Sequence, residues 1–151
     1  MPESIRVLIS EEIHIAEARR EVLLLAQDVG FDRTDAYYLA TAVTELAANL
    51  FRHAGGGEIR LRALVRCDTV GVEVIAQDAG PGIADIAQAM HEGFSTAGGL
   101  GCGLPGVSRL MDELEIHSEA GQGTRIRACK WIAAADTAGR AMTRSNSGAP
   151  S

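Results

Sequence analysis

The chain has 151 residues, 46% of them hydrophobic, and 14 basic against 20 acidic side chains give a formal net charge of −6 at pH 7. That length suits one domain with a sizeable core, and the acidic balance argues against nucleic acid or an anionic membrane as the main partner. Lys130 is the only lysine among the 14 basic residues, so a Gly-Lys phosphate loop is excluded, as is a eukaryote-like kinase built on a buried lysine.

Ser4 to Ser10 alternates in polarity and predicts a first strand. Ile15, Ala18, Val22, Leu25 and Val29 recur at three and four, which predicts an amphipathic helix over 12–29, stopped by Gly30. Asp32 or Thr34 then caps a second helix that runs to about Ala54 and ends at Gly55-Gly56-Gly57. Leu39, Val43, Leu46 and Leu50 form the apolar stripe of this helix. Glu45 and Asn49 lie one turn apart, about a third of a turn from the centre of that stripe, on the rim of the core. An amide oxygen suits a hard cation such as Mg²⁺, and a carboxylate one turn away could accept a proton. A solvated helix face would show the same pair.

Ile59, Leu61, Ala63 and Val65 alternate with Glu58, Arg60, Arg62 and Arg66, the pattern of a half-buried strand. Cys67-Asp68-Thr69 turns the chain into the apolar run Val70 to Ala76, a strand that ends at Asp78. An aspartate at a strand end can accept a hydrogen bond from an exocyclic amine, and the glycines of Asp78-Ala79-Gly80-Pro81-Gly82-Ile83 leave room for a flat ring. The same residues also make an ordinary turn. A short helix is expected over 84–91.

Six of the fourteen residues from Gly93 to Gly106 are glycine. A run this glycine-dense, ending where the helix Leu104–Met111 begins with Pro105 in its first turn, suits a mobile flap over a phosphate tail, although glycine-rich runs are also ordinary linkers. Strands at Leu114–Ser118 and Thr124–Trp131 follow, joined by Ala120-Gly121-Gln122-Gly123. Lys130 falls in the alternating pattern of the last strand and is expected in solvent. Helices alternating with an antiparallel-rich strand set predict an α/β two-layer sandwich. From Ala133 to Ser151 there is no aromatic residue, so 1–132 is the expected domain and 133–151 a disordered tail.

Cys67, Cys102 and Cys129 are odd in number and form no Cys-x-x-Cys pair. They read as reduced thiols of a cytoplasmic protein. His14, His53, His91 and His117 show no metal-ligand spacing. No apolar stretch reaches the ~18 residues that span a bilayer.

Taken in order, four segments resemble the GHKL ATPases, which include gyrase, Hsp90, histidine kinases, MutL and the small anti-sigma-factor-type serine kinases. Glu45-Leu46-Ala47-Ala48-Asn49 matches the N box, and Asp78-Ala79-Gly80-Pro81-Gly82-Ile83 the G1 box. Gly99-Leu100-Gly101-Cys102-Gly103-Leu104 matches the G2 box, and Gly121-Gln122-Gly123-Thr124 the closing glycine–threonine element. Gly93-Phe94-Ser95-Thr96 and the stretch Gly103 to Glu113 are similar to the RsbT-type switch kinases of the bacterial stressosome. The resemblance covers about residues 4–132.

The resemblance implies a Bergerat-type fold, a mostly antiparallel sheet covered by helices on one face. It implies ATP and Mg²⁺ as cofactors. Asn49 would hold the Mg²⁺ that bridges the phosphates, and Glu45 would be the base that takes the serine proton. Asp78 would read the adenine amine, and Thr124 would support the adenine end. Gly80, Gly82, Gly99, Leu100, Gly101, Gly103 and Leu104 would shape pocket and lid, with Ser95 and Thr96 in the lid. Related anti-sigma kinases carry a lid arginine before the G2 glycines, and Ser95 to Gly103 contains none. Arg109 and Arg52 are then the candidates to meet the γ-phosphate. The implied partners are a STAS-domain antagonist as substrate and a PP2C-type phosphatase. An anti-sigma factor with kinase activity that binds a sigma factor directly, or a nucleotide-gated binding module without transfer, are the alternative readings.

Overall fold

The computed structural model describes residues 4–78, 103–119 and 123–132. Their elements in chain order are β1 (Ile5–Ile9), α1 (Ile13–Val29), α2 (Arg33–Ala54), β2 (Gly57–Arg66), β3 (Thr69–Gln77), α3 (Gly103–Leu110), β4 (Glu113–Glu119) and β5 (Gly123–Ile132). Each element expected within these residues forms, with ends one or two residues from the expected positions. The expected helix at 84–91, most of the glycine-rich run and the tail lie outside the described residues.

Local chemistry explains the helix boundaries. Gly30 takes φ 107° and its N–H bonds the Ala26 carbonyl at 3.0 Å, ending α1 in the left-handed turn that glycine enters without strain. Of the two cap candidates, Asp32 caps α2. Its backbone is extended and its Oδ1 accepts the Asp35 N–H at 2.8 Å. Gly55, at φ 76°, closes the other end.

The strands form one sheet in the order β1-β2-β3-β5-β4, antiparallel at every junction. Val7 and Ile9, Ile59 and Leu61, Val72, Val74 and Ala76, and Ile126, Ala128 and Ile132 point to one face and are buried in one core with the helices. The alternate residues carry charge on the other face. There Glu73 is only 4% exposed and is held between Arg62 at 2.9 Å and Arg127 at 2.6 Å. Arg66 lies 4.3 Å from the Trp131 ring centroid and 2.8 Å from Glu113. Beneath this lattice burial pushes the Cys129 thiol up to about 11, so it stays protonated and unreactive at neutral pH. The two-layer sandwich expected from the sequence is therefore what forms.

One expectation fails. Lys130 is buried, not solvated. It has the parity of Ala128 and Ile132, so its stem runs along the inner face. Its Nζ emerges at the C-terminus of α3, donating to the Leu110 carbonyl at 3.0 Å with Asp35 at 3.9 Å and the Tyr38 ring centroid at 5.4 Å. A long apolar stem with a cationic tip can cross the core edge to a helix end in this way.

Gly57 sits where three elements converge. A Cβ there would run into the Gln77 carbonyl oxygen and approach the Leu50 side chain to 2.9 Å. The backbone pairing of β2 with β3 leaves no space to move. Gly57→Ala is therefore expected to destabilise the fold by roughly 1–3 kcal/mol, the usual cost of overpacking, read as a lowered unfolding midpoint in a thermal or urea melt. An unchanged midpoint would show that the three elements are not in such close contact.

Candidate functional site

α2 is the central helix. α1 packs on one flank, α3 on another, and the sheet lies beneath. Its buried arc is accordingly wider than the leucine stripe and takes in Ala40, Ala42, Ala47 and Ala48 as well. This is why Glu45 is 0% exposed, deeper than the rim position the spacing predicts, while Asn49 one turn on is half-buried. A solvated helix face is ruled out for Glu45.

Among the described residues, neither Glu45 carboxylate oxygen accepts a hydrogen bond. The nearest cation among the described residues is Arg52, one further turn along the same face, with Nη2 3.6 Å from Glu45 Oε2 and 3.5 Å from Asn49 Oδ1. The buried Arg52 Nε has no hydrogen-bond partner among them either. Native interiors seldom leave such groups unsatisfied, and those that remain mark sites where something else arrives. His53 stands beside Arg52 in the last turn of α2, where a basic residue complements the helix dipole.

Leu50 follows Asn49, and its side chain and the Gln77 carbonyl both flank Gly57 closely enough to exclude a Cβ there. The C-terminal half of α2 and the C-terminal end of β3 are thus neighbours. Asp78, the next residue, is half-buried, and its N–H bonds the Thr124 carbonyl at 3.0 Å. Asp78 and Thr124, widely separated in the sequence, are brought together by this bond. Thr124 is 7% exposed and its hydroxyl lies 2.8 Å from the Ser118 hydroxyl. Ser118 enters the sequence reading only as the end of a strand. The β4–β5 register sets it opposite Thr124, a cross-strand pair that becomes visible only once the register is known.

α3 packs against α2 with Gly103, Leu104, Pro105, Gly106 and Val107 buried. Gly103 opens it at φ 59°, a conformation that favours glycine. Arg109 is exposed on the same helix. Gly80, Gly82, Ser95, Thr96, Gly99, Leu100, Gly101 and Cys102 lie outside the described residues. No helix among the described residues is long and apolar enough to cross a membrane.

Residues 8–130 match the family model of the histidine kinase-like ATPase domain. The chain belongs to that family. It is 46% identical over 126 residues to the serine/threonine-protein kinase RsbT of Bacillus subtilis (strain 168), covering 83% of this chain and 95% of RsbT. It is 37% identical over 100 residues to the anti-sigma F factor of Caldanaerobacter subterraneus subsp. tengcongensis, covering 62% of this chain and 68% of that one. Among solved structures, the RsbU and RsbW domains of a Mycobacterium tuberculosis protein superpose with a TM-score of 0.56 at 20% identity. That match covers 86% of this chain and 31% of the other, and shows the fold alone. The GHKL resemblance read from four segments is thereby met, and the chain is a serine/threonine-protein kinase of GHKL type. ATP is the nucleotide of this ATPase family.

Proposed function

We propose that this chain is a cytoplasmic partner-switching kinase. It transfers the γ-phosphoryl group of ATP to a serine or threonine of a STAS-domain antagonist, and on release from it activates a PP2C-type phosphatase. The observation that carries the reading is Glu45, a fully buried carboxylate whose oxygens accept no hydrogen bond among the described residues, one helical turn from the Asn49 amide. The likeness to RsbT over 83% of the chain supports the protein-kinase activity.

The donor set fits a nucleotide-borne Mg²⁺. No group of three or more His, Cys, Asp or Glu that could hold a metal occurs among the described residues, and an ion held by a single amide oxygen would draw the rest of its oxygen shell from phosphate and water. Asn49 Oδ1 already faces the Arg52 cation and is the protein oxygen suited to the ion. The bound ion would neutralise phosphate charge. Asp78 accepts from the adenine amine, Thr124 braces that end of the pocket, and Gly103 and Leu104 start the helix that faces the phosphates. Gly80, Gly82, Ser95, Thr96, Gly99, Leu100 and Gly101 complete the pocket and lid. Glu45 takes the proton of the attacking serine hydroxyl as its oxygen bonds the γ-phosphorus and ADP leaves. The new phosphate adds charge at the interface with the antagonist and weakens the complex. Residues 1–132 suffice, and 133–151 form an appendage. Nucleic acid and membrane take no part.

A second reading is an anti-sigma factor with kinase activity that binds a sigma factor directly. It is favoured by the 37% identity to the anti-sigma F factor. One experiment separates the two: incubation with ATP and purified STAS-domain proteins, read by mass spectrometry, beside a sigma-factor pull-down. Phosphoserine or phosphothreonine on the STAS protein is expected, with no acid-labile label on the kinase and no captured sigma factor. A captured sigma factor, whether or not the STAS protein is modified, would reverse the choice.

A further inference from the structure

Asn49 and Arg52 are three residues apart on α2, and Glu45 and Arg52 seven, so all three share one face. A single guanidinium nitrogen, Nη2, serves both neighbours, at 3.5 Å from Asn49 Oδ1 and 3.6 Å from Glu45 Oε2. The contact is a loose one. The Arg52 Nε is buried without a partner, while the side chain as a whole keeps 23% exposure and so has a way out. The Asn49 amide oxygen is thus the place where a protein cation and a metal cation would meet.

We propose that Arg52 is a positioning residue that gates the metal: it holds the Asn49 carboxamide oxygen and the Glu45 carboxylate until Mg²⁺ displaces it. The inference rests on the reading of Asn49 as the metal ligand. Two cations cannot share one amide oxygen, because their repulsion at such separation exceeds what a long amide contact returns. The arginine therefore leaves Asn49 when the metal arrives. Glu45 is released from the same nitrogen in the same event, since Arg52 is the one ion-pair partner it has among the described residues. Base and metal are coupled through one side chain. The protein then discriminates Mg-ATP from metal-free ATP by more than the metal's own bonds, because metal-free nucleotide leaves the latch in place.

The test is a Mg²⁺ titration of the purified full chain with a fluorescent trinitrophenyl-ATP, read as binding rather than transfer. Arg52→Met is expected to lower the half-saturating Mg²⁺ concentration by about three- to fivefold, the scale of one partly exposed ion contact, and to leave affinity in EDTA unchanged. Should Arg52→Met leave Glu45 too poorly compensated to fold, the double variant Glu45→Gln/Arg52→Met removes both charges and should show the same lowered Mg²⁺ requirement. An unchanged Mg²⁺ midpoint overturns the gate. So does a weaker nucleotide affinity in EDTA, which would place the arginine on the phosphates. Asn49→Ala serves as the separate check on the underlying reading. If it keeps the wild-type Mg²⁺ dependence, Asn49 is not the metal ligand and the site assignment fails, whatever Arg52 does.

Discussion

Glu45→Gln is expected to cut phosphoryl transfer by about 100-fold or more while changing ATP affinity by no more than about twofold. The substitution keeps the shape of a fully buried side chain and removes only its capacity to take a proton. ATP binding does not call on that capacity. It is needed when a serine hydroxyl arrives, so the loss belongs to the chemical step. Stability moves in the opposite sense from a structural defect. A buried carboxylate whose oxygens accept no hydrogen bond is costly to the fold, and an amide relieves that cost. The variant should melt no lower than the wild type, apart from whatever Arg52 contributes at 3.6 Å. Single-turnover transfer to a STAS-domain protein, nucleotide calorimetry and a thermal melt together check this. Parallel loss of binding and transfer would make Glu45 a scaffold or a metal-positioning group instead of the base.

The helices and strands were legible because their signals are local. The three-and-four recurrence from Ile15 to Val29 gives α1, and the alternation from Glu58 to Arg66 gives β2. Asp32 and Gly55 mark the ends of α2 by side-chain capping and by φ, both properties of single residues. Depth was less legible. Spacing places Glu45 at the edge of one apolar stripe, but a helix covered by two others and a sheet has no edge there. Lys130 was misread for a related reason. Strand parity was visible, yet the helix end waiting for its ammonium is set by the packing of α3, a long-range fact. The partners of Thr124 and Arg52 belong to the same class. Ser118 faces Thr124 through register, and Arg52 is on the right helix face in the sequence but acquires meaning only when Glu45 is found without other partners.

Asp78→Asn is expected to weaken ATP binding by roughly 1.5–3 kcal/mol, or about 10- to 150-fold, the scale of a hydrogen bond to a charged group. The structure makes this substitution a clean probe of the side chain. The Asp78 backbone is held by its own N–H to the Thr124 carbonyl at 3.0 Å, a bond that asparagine keeps. β3 and β5 stay paired up to that point through Gln77 and Arg125, so the strand end does not shift. What changes is the head group. A carboxylate offers only acceptors to the adenine amine, whereas a carboxamide can turn a donor toward it. Comparing ATP with inosine triphosphate isolates that contact, because inosine carries a carbonyl where adenine carries the amine. The wild type should prefer ATP strongly, and Asp78→Asn should lose most of that preference by weakening ATP far more than inosine triphosphate. If calorimetry finds both nucleotides weakened equally, the aspartate shapes the pocket without reading the base. If ATP affinity is unchanged, the adenine lies elsewhere, and the neighbourhood of Asp78 and Thr124 is structural alone.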